Sequence, residues 1–270
     1  MPLRDLTLDD LIIDDEASFR HVALYARLKE ALRRARHRFQ VPTGDSQASW
    51  DRVLFLNLTF WSAGDEASVL CDEHIAPDVI AHTAWHHLAA KALSSSQGAG
   101  AEGAPSAAAL MFCESIASAF DLYLVGRLIV NAPDSDFIAS QVPIMAEAAE
   151  QAGLPEAEFS QLLRTVNADP ERAFEDMRAL LMDVGASLFA CRDAAAAHAA
   201  LETFAGRRFA PLIHHFQFSN WILYARAYAR STPDDRVAGN DVAVAELDQT
   251  LRAAPVSLDW LAAHWLTTTD

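Results

Sequence analysis

The chain has 270 residues, 51% of them hydrophobic, which is enough to bury a large core in one domain or in two closely packed ones. Its 37 Asp and Glu residues outnumber its 21 Lys and Arg residues, and the resulting net charge of −16 repels phosphate backbones and anionic lipids. We therefore expect neither nucleic acid nor membranes as partners. The first residues, MPLRDLTLDDLIIDDE, lack the basic start and apolar core of a secretory signal, so a cytoplasmic location is expected.

Alanine and leucine dominate the sequence, glycine is scarce, and no segment shows the sustained period-two alternation of a half-buried strand. These features predict an all-α protein, a multi-helix bundle that forms a single domain over residues 1–270 around a buried polar site. The first helix is expected over residues 15–39, because acidic residues stand at its start and arginines in its last turn. A second is expected over residues 50–63. Pro77, suited to a first helical turn, marks the start of a third over residues 78–93.

A stretch of small residues, SSSQGAGAEGAPS at 94–106, buries too little surface to hold a fixed shape and predicts a flexible connection. The longest apolar run follows, over residues 107–130. Glu114, Asp121 and Arg127 interrupt this run, and such groups are costly in hydrocarbon, so we interpret it as a buried helix and not as a membrane span. Further helices are expected over residues 137–152, 156–166, 170–205, 209–230, 241–253 and 258–266.

Two carboxylates in the apolar run make the strongest physical demand. Glu114 and Asp121 are seven residues apart, about two helical turns, and so project from one stripe among apolar side chains. An uncompensated carboxylate in such surroundings is strongly destabilising. Each must therefore be protonated, paired with a cation or hydrogen-bond donor, or bound to a metal. Ion pairs with arginine, from Arg20, Arg178 or Arg226, are the metal-free alternative.

The stretch DVIAHTAWHH, residues 78–87, offers partners for these carboxylates. Asp78, His82 and His86 recur at steps of four and form a row on one helical face. Two imidazoles at i and i+4 can hold one metal ion, as in the HExxH helix of zinc proteases, although the glutamate of that motif is missing here. His87 points about 100° away and is expected in a different environment. A helix-capping Asp and surface histidines are the alternative interpretation.

A third ligand is expected from the segment PLIHHFQFSNW, where His214 or His215 lies in an apolar, aromatic helix. The sequence does not indicate which of the two imidazoles faces inward. Lone histidines in a folded protein are usually hydrogen-bonded residues without a further role. We expect this of three others: His21, His198 and His264.

Carboxylates and imidazoles on successive helices of an all-α chain form the usual ligand set of metal sites in bundle cores. The spacings Glu114/Asp121 and Asp78/His82/His86 resemble those of the haem-oxygenase-like di-iron oxidases, a group of helical di-iron carboxylate proteins. The chain departs from that pattern, because the order of the ligand helices is reversed, Asp121 replaces a histidine, and no ferritin-type ExxH pair occurs. The resemblance covers residues 78–121. It implies two iron or manganese ions and oxidation of a small organic substrate by dioxygen.

Two functional hypotheses follow from these patterns. In the first, the protein is a metal-dependent oxygenase or oxidase of a small organic substrate, and its oxygen and imidazole donors favour iron or manganese over a structural zinc. In the second, it is a metal-free helical protein that binds an apolar ligand or a protein partner. A metal-free acid–base enzyme that uses Glu114 is a third option. The sequence also leaves open whether the protein forms a homodimer. The first hypothesis expects as metal ligands Asp78, His82, His86, Glu114 and Asp121, with His214 or His215.

Overall fold

The computed structural model describes residues 3–43, 67–96, 105–213 and 235–266. Most of these residues lie in helices, which confirms the predicted all-α, multi-helix fold. The helix predicted over residues 50–63 lies outside the described residues, as does most of the helix predicted over 209–230, whose described part contains a 3₁₀ turn over Ala210–Leu212. Most of the predicted flexible connection at 94–106 also lies outside them.

Nine α-helices occur in the described part of the chain, and they follow the predicted order. The helices are α1 (Ala23–Ala35), α2 (Pro77–Ser96), α3 (Ala107–Asn131), α4 (Asp136–Gln151), α5 (Glu156–Ala168), α6 (Pro170–Ala190), α7 (Ala194–Glu202), α8 (Asp235–Ala253) and α9 (Ser257–Trp265). Helix α3 lies at the centre, because it packs against α2 on one side and α6 on another, with further contacts to α4, α5 and α8.

The helix predicted over residues 15–39 is shorter than expected. A 3₁₀ helix spans Glu16–His21, and α1 begins only at Ala23. Arg36 ends α1 in the left-handed conformation, at φ 50°, and its backbone N–H donates to carbonyl groups of the last helical turn. Because this residue turns the chain, the residues after it continue as a strand.

Five short strands also occur among the described residues, although no segment of the sequence shows sustained period-two alternation. One sheet has the strand order β1 (Leu3–Leu6), β3 (Arg38–Pro42), β4 (Ala67–Val69), and a separate parallel pair joins β2 (Ile12–Ile13) to β5 (His74–Ile75). Strands of two to five residues are too short to show a recognisable alternation of apolar and polar residues. Their positions depend on backbone pairing with distant segments, which local sequence does not encode.

Helix α3 is long and apolar enough to cross a membrane by length and composition alone. However, 78% of its most apolar window is buried inside the protein. The side chain of Ser106 caps its first turn by accepting from the backbone N–H of Ala109. Helix α3 is therefore the core helix that the sequence predicts, and its few polar side chains lie where the surrounding helices must satisfy them.

The helix predicted over residues 170–205 is interrupted. Helix α6 ends at Ala190, and Cys191 leaves the helical conformation at ψ 140°. Asp193 then caps α7, its carboxylate accepting from the backbone N–H of Ala196. A single Asp in an alanine-rich run fits both a helix interior and a cap, so its position in the sequence could not reveal the break.

Candidate metal centre

The two predicted rows of polar side chains meet where α2 and α3 pack side by side. His82 and His86 lie one turn apart on α2, and Glu114 and Asp121 lie two turns apart on α3. The Glu114 side chain is 8% exposed, whereas the other three side chains are 20% to 32% exposed. The cluster therefore has a buried floor at Glu114 and a rim that reaches solvent.

Three of these side chains place one donor atom each around a common point. His86 Nε2 lies 3.2 Å from Glu114 Oε2, His82 Nε2 lies 3.8 Å from Glu114 Oε1, and the two Nε2 atoms are 3.1 Å apart. One donor from each residue lies within 4.8 Å of the others. Adjacent donors at metal bond lengths of about 2.1 Å are about 3.0 to 3.4 Å apart. Two of the three separations lie in this range and the third is 3.8 Å, so the three side chains offer a candidate site for a single ion with two imidazole ligands and one carboxylate.

Asp121 contacts the imidazole of His82 on the side that does not face Glu114. Its Oδ2 lies 3.1 Å from His82 Nδ1, the ring nitrogen that does not face Glu114. On the buried side, the Ser118 hydroxyl donates to Glu114 Oε1 at 2.7 Å. The sequence analysis gave Ser118 no role, although its position four residues after Glu114 places it on the same helical face.

Asp78 stands at the start of α2, one turn before His82. Its carboxylate accepts hydrogen bonds from backbone N–H groups of that first turn, including that of Val79. Burial, and then the charge of Asp121, raise the pKa of Asp78 to about 6. Asp78 therefore lies in the first turn of α2, within electrostatic reach of His82 and Asp121.

The charges of the cluster depend on its imidazoles. Burial alone would raise the pKa of Glu114, but the adjacent His86 and His82 outweigh burial and hold this pKa at about 2. Burial alone would lower the pKa of His82, but Asp121 and Glu114 outweigh it and raise this pKa to about 9. Burial outweighs the effect of His82 on Asp121 and raises the pKa of that carboxyl. Without a metal, the protonated imidazole of His82 therefore compensates the negative charge of Glu114. Because Glu114 is ionised near neutral pH, it is a poor proton donor.

Arginine does not compensate these carboxylates in the way the metal-free alternative expects. The fully buried guanidinium of Arg178 donates instead to Glu175 and to Asp248, the latter at 2.6 Å. Arg20 donates to the neighbouring His21 at 2.9 Å. Arg226 lies outside the described residues. For Arg20 and Arg178, the proposed ion pairs are therefore wrong.

Apolar side chains of α2 and α3 pack close to the cluster. Trp85, between the two histidines in sequence, is fully buried, and its ring lies 5.5 Å from that of Phe120. Its indole Nε1 has no hydrogen-bond partner within the described part of the chain. Burial, and then the charge of Glu114, raise the pKa of Cys113 to about 12, so this residue stays a thiol. Trp85 and Phe120 thus form part of the buried contact between α2 and α3.

The remaining histidines lie apart from this cluster or outside the description. His214 and His215, one of which was expected as a ligand, both lie outside the described residues. His87 lies in a different environment from His86, as predicted, with its ring 5.7 Å from that of His37. Three histidines are exposed and bonded to near neighbours, as expected: His21, His198 and His264.

No protein-family model, curated protein or solved structure matches this chain. The resemblance to helical di-iron oxidases therefore has only the spacing of residues 78–121 behind it. Any function must be argued from the geometry of the cluster.

Proposed function

We propose that this protein is a helical metalloprotein that binds a divalent first-row metal ion, iron or manganese, through His82, His86 and Glu114. The observation that supports the proposal is that one donor atom from each of these residues lies within 4.8 Å of the other two. Two imidazoles and one carboxylate form the ligand set of many non-haem iron oxygenases. We therefore propose an oxygenase or oxidase that acts on a small organic substrate.

Several properties of the chain favour this assignment over a structural zinc site. Structural zinc sites use four protein ligands and are dominated by cysteine, whereas the cluster offers three oxygen and nitrogen donors. Three ligands leave coordination positions open, and an iron ion there would supply redox chemistry with dioxygen. His86 is 32% exposed, so this part of the cluster reaches solvent.

The side chains around the donors would prepare the site for a cation. Glu114 is ionised, and the hydroxyl of Ser118 fixes the orientation of its carboxylate. The buried Trp85 and Phe120 pack against each other between α2 and α3, the two helices that carry the donors. Together these residues hold negative charge in a site of low dielectric constant, which strengthens the attraction for a divalent ion.

The number of ions is a separate part of the proposal. The described donors account for one ion, whereas the resemblance to di-iron proteins implies two. A second ion would need further ligands, such as Asp78 and Asp121, together with His214 or His215. We expect one tightly bound ion per chain if only the three clustered donors serve as ligands, and two if these further residues complete a second site.

Metal analysis of protein purified without chelators tests the proposal. We expect stoichiometric iron or manganese in the unmodified protein, and a large loss of metal in His82→Ala and Glu114→Ala, because each removes one of three ligands. His74→Ala is the matched control, since His74 also contacts a carboxylate, Asp14, but is exposed on β5, outside the cluster. An unmodified protein that neither contains metal nor takes up added iron(II) or manganese(II) would overturn the proposal.

The second candidate is the metal-free helical protein that binds an apolar ligand or a protein partner. The observation that favours it is that imidazole and carboxylate groups compensate each other without an ion, with His86 3.2 Å from Glu114 and His82 3.1 Å from Asp121. Under this alternative, His82→Ala and Glu114→Ala lower the free energy of unfolding, and neither the variants nor the unmodified protein contain metal. The same set of variants therefore separates the two functions.

A further inference from the structure

The two ring nitrogens of His82 have different surroundings. Nε2 faces the cluster, 3.1 Å from His86 Nε2 and 3.8 Å from Glu114 Oε1. Nδ1 faces away from it and lies 3.1 Å from Asp121 Oδ2. Glu114 and Asp121, two turns apart on α3, thus contact one imidazole of α2 from opposite sides.

This arrangement determines which nitrogen of His82 can bind a metal. An ionised carboxylate only accepts hydrogen bonds, so Asp121 requires a proton on Nδ1. An imidazole that binds a metal keeps one proton, and the nitrogen without that proton supplies the lone pair. With the proton held on Nδ1 by Asp121, the lone pair of Nε2 points toward Glu114 and His86.

We propose that Asp121 is a positioning residue, which orients His82 as a ligand and is not itself a ligand. The inference rests on the proposed function, because it assigns Asp121 a role toward the metal held by His82, His86 and Glu114. On binding, the cation displaces the Nε2 proton of His82 to solvent, and the Nδ1 proton stays on the hydrogen bond to Asp121. Outer carboxylates of this kind fix the ring orientation of a metal-binding histidine and raise its basicity.

Titration with cobalt(II), followed by its visible absorption, measures this effect on the intact protein. Loss of an outer partner of a metal ligand typically weakens metal binding about 10- to 100-fold, and we expect a loss of this size for Asp121→Ala. Asp121→Asn should lose less, because its amide oxygen can still accept from Nδ1. Asp14→Ala is the matched control, since Asp14 accepts from the Nδ1 of His74 at 2.9 Å on an exposed strand, and it should leave the Kd unchanged.

Imidazole nitrogen NMR of the zinc-loaded protein gives a readout that a purely structural role would not change. We expect His82 to coordinate zinc through Nε2 and to keep a protected proton on Nδ1, and we expect that proton to exchange faster with solvent in Asp121→Ala. Coordination through Nδ1, or an Nδ1 proton that responds to neither Asp121 variant, would overturn the inference. Because the isosteric Asp121→Asn preserves packing, these results do not depend on the folding of the alanine variant.

The outcomes separate this inference from the proposed function. If the unmodified protein binds neither cobalt(II) nor zinc(II), the metal site itself is wrong. If it binds both ions and Asp121→Ala binds cobalt(II) with an unchanged Kd while its circular dichroism shows a native fold, the metal site stands and the positioning role of Asp121 is wrong. A higher Kd for cobalt(II) in Asp121→Ala, with a smaller increase in Asp121→Asn, supports the positioning role.

Discussion

Glu114 shows at the scale of single residues how a buried charge makes a candidate site recognisable. Its carboxylate is almost fully buried on an apolar helix, so its ionised form exists only because His86, His82 and Ser118 compensate it. The same compensation prepares the site for a cation, because a metal ion can replace the proton that the imidazoles carry. On the protein surface, water would stabilise the charges of the same residues, so their clustering would not indicate a cation site.

His37 provides a test of the electrostatics outside the candidate metal centre. Its Nε2 lies 2.9 Å from the Ser68 hydroxyl, and its ring packs against those of Phe39 and His87. Burial, followed by the charges of His87 and Arg38, lowers the pKa of His37 from 6.5 to about 4. The folded protein therefore keeps this imidazole neutral at a pH at which the unfolded chain already binds a proton.

We expect His37→Gln to reduce the acid sensitivity of the fold. Because the folded pKa is depressed, the contribution of His37 to stability is fully present above its unfolded pKa of 6.5 and is lost as the pH falls toward 4. Between neutral pH and pH 4, the free energy of unfolding of the unmodified protein should fall by at most about 3 kcal/mol more than that of His37→Gln. Urea unfolding at a series of pH values between neutral and mildly acidic measures it.

The exposed His198, 71% accessible, is the control for this experiment. His198→Gln should leave the free energy of unfolding at neutral pH nearly unchanged, because this side chain lies on the surface. Asp78 titrates in the same pH range with the opposite sign, since its pKa is raised, but it is common to both proteins and cancels in the comparison. Parallel pH profiles for the unmodified protein and His37→Gln would show that His37 is not held neutral by burial.

At the scale of elements, the close packing of α3 against its neighbours depends on Gly126. A Cβ atom added there would lie 2.8 Å from the carbonyl oxygen of Val166 and 3.0 Å from Pro170. The Asn167 side chain also donates to the Gly126 carbonyl at 2.8 Å, which ties α3 to the turn between α5 and α6. Because Gly126 has no side chain, the backbone of α3 can come close to Val166 and Pro170.

We expect Gly126→Ala to lower the free energy of unfolding by about 1 to 3 kcal/mol, as overpacking of a well-filled core does. Alanine would gain up to about 1 kcal/mol of helix propensity, but the clash is with a backbone oxygen that cannot rotate away. Chemical denaturation measures the change.

Gly185→Ala on α6 is the matched control for this substitution. Its added Cβ would lie 3.4 Å from the flexible end of Met111, which can move, so stability should stay equal or rise slightly. Equal stabilities for the two alanine variants and the unmodified protein would contradict the close approach at Gly126.

The elements also show which parts of this structure the sequence could predict. The apolar run predicted α3, and helical periodicity correctly placed Glu114 and Asp121 on one stripe and His82 and His86 on another. Periodicity within one helix cannot predict how two helices are rotated against each other. The contact of Asp121 with Nδ1 of His82, away from Glu114, depends on that rotation and therefore became visible only in the structure.

The missed elements have a similar cause. The strands β1 to β5 pair residues that are far apart in sequence, such as Leu6 with Phe39 and Ile13 with Ile75. The end of α1 depends on the left-handed conformation of Arg36, a residue type that gives no local signal for it. Sequence thus predicted long elements with strong periodicity and failed where tertiary pairing decides the conformation.

At the scale of the whole molecule, the net charge of −16 complicates any metal measurement. An acidic surface attracts all divalent cations weakly and without coordination geometry. The candidate centre differs from that surface because two of its three donors are imidazoles, which calcium and magnesium bind poorly and cobalt binds well. Comparison of these ions therefore separates a specific site from nonspecific attraction by the acidic chain.

We expect cobalt(II) to raise the melting temperature and magnesium at the same concentration to leave it almost unchanged. The cluster joins α2 to α3, the helix at the centre of the bundle, so an ion held there binds the folded chain and not the unfolded one. Ligand at about 100 times its Kd adds about 2.7 kcal/mol, or roughly 5 to 10 °C for a chain of this size. Scanning calorimetry measures the shift. His86→Ala, which keeps the acidic surface but removes one donor, should lose most of it, and an equal shift with magnesium would assign the effect to surface charge.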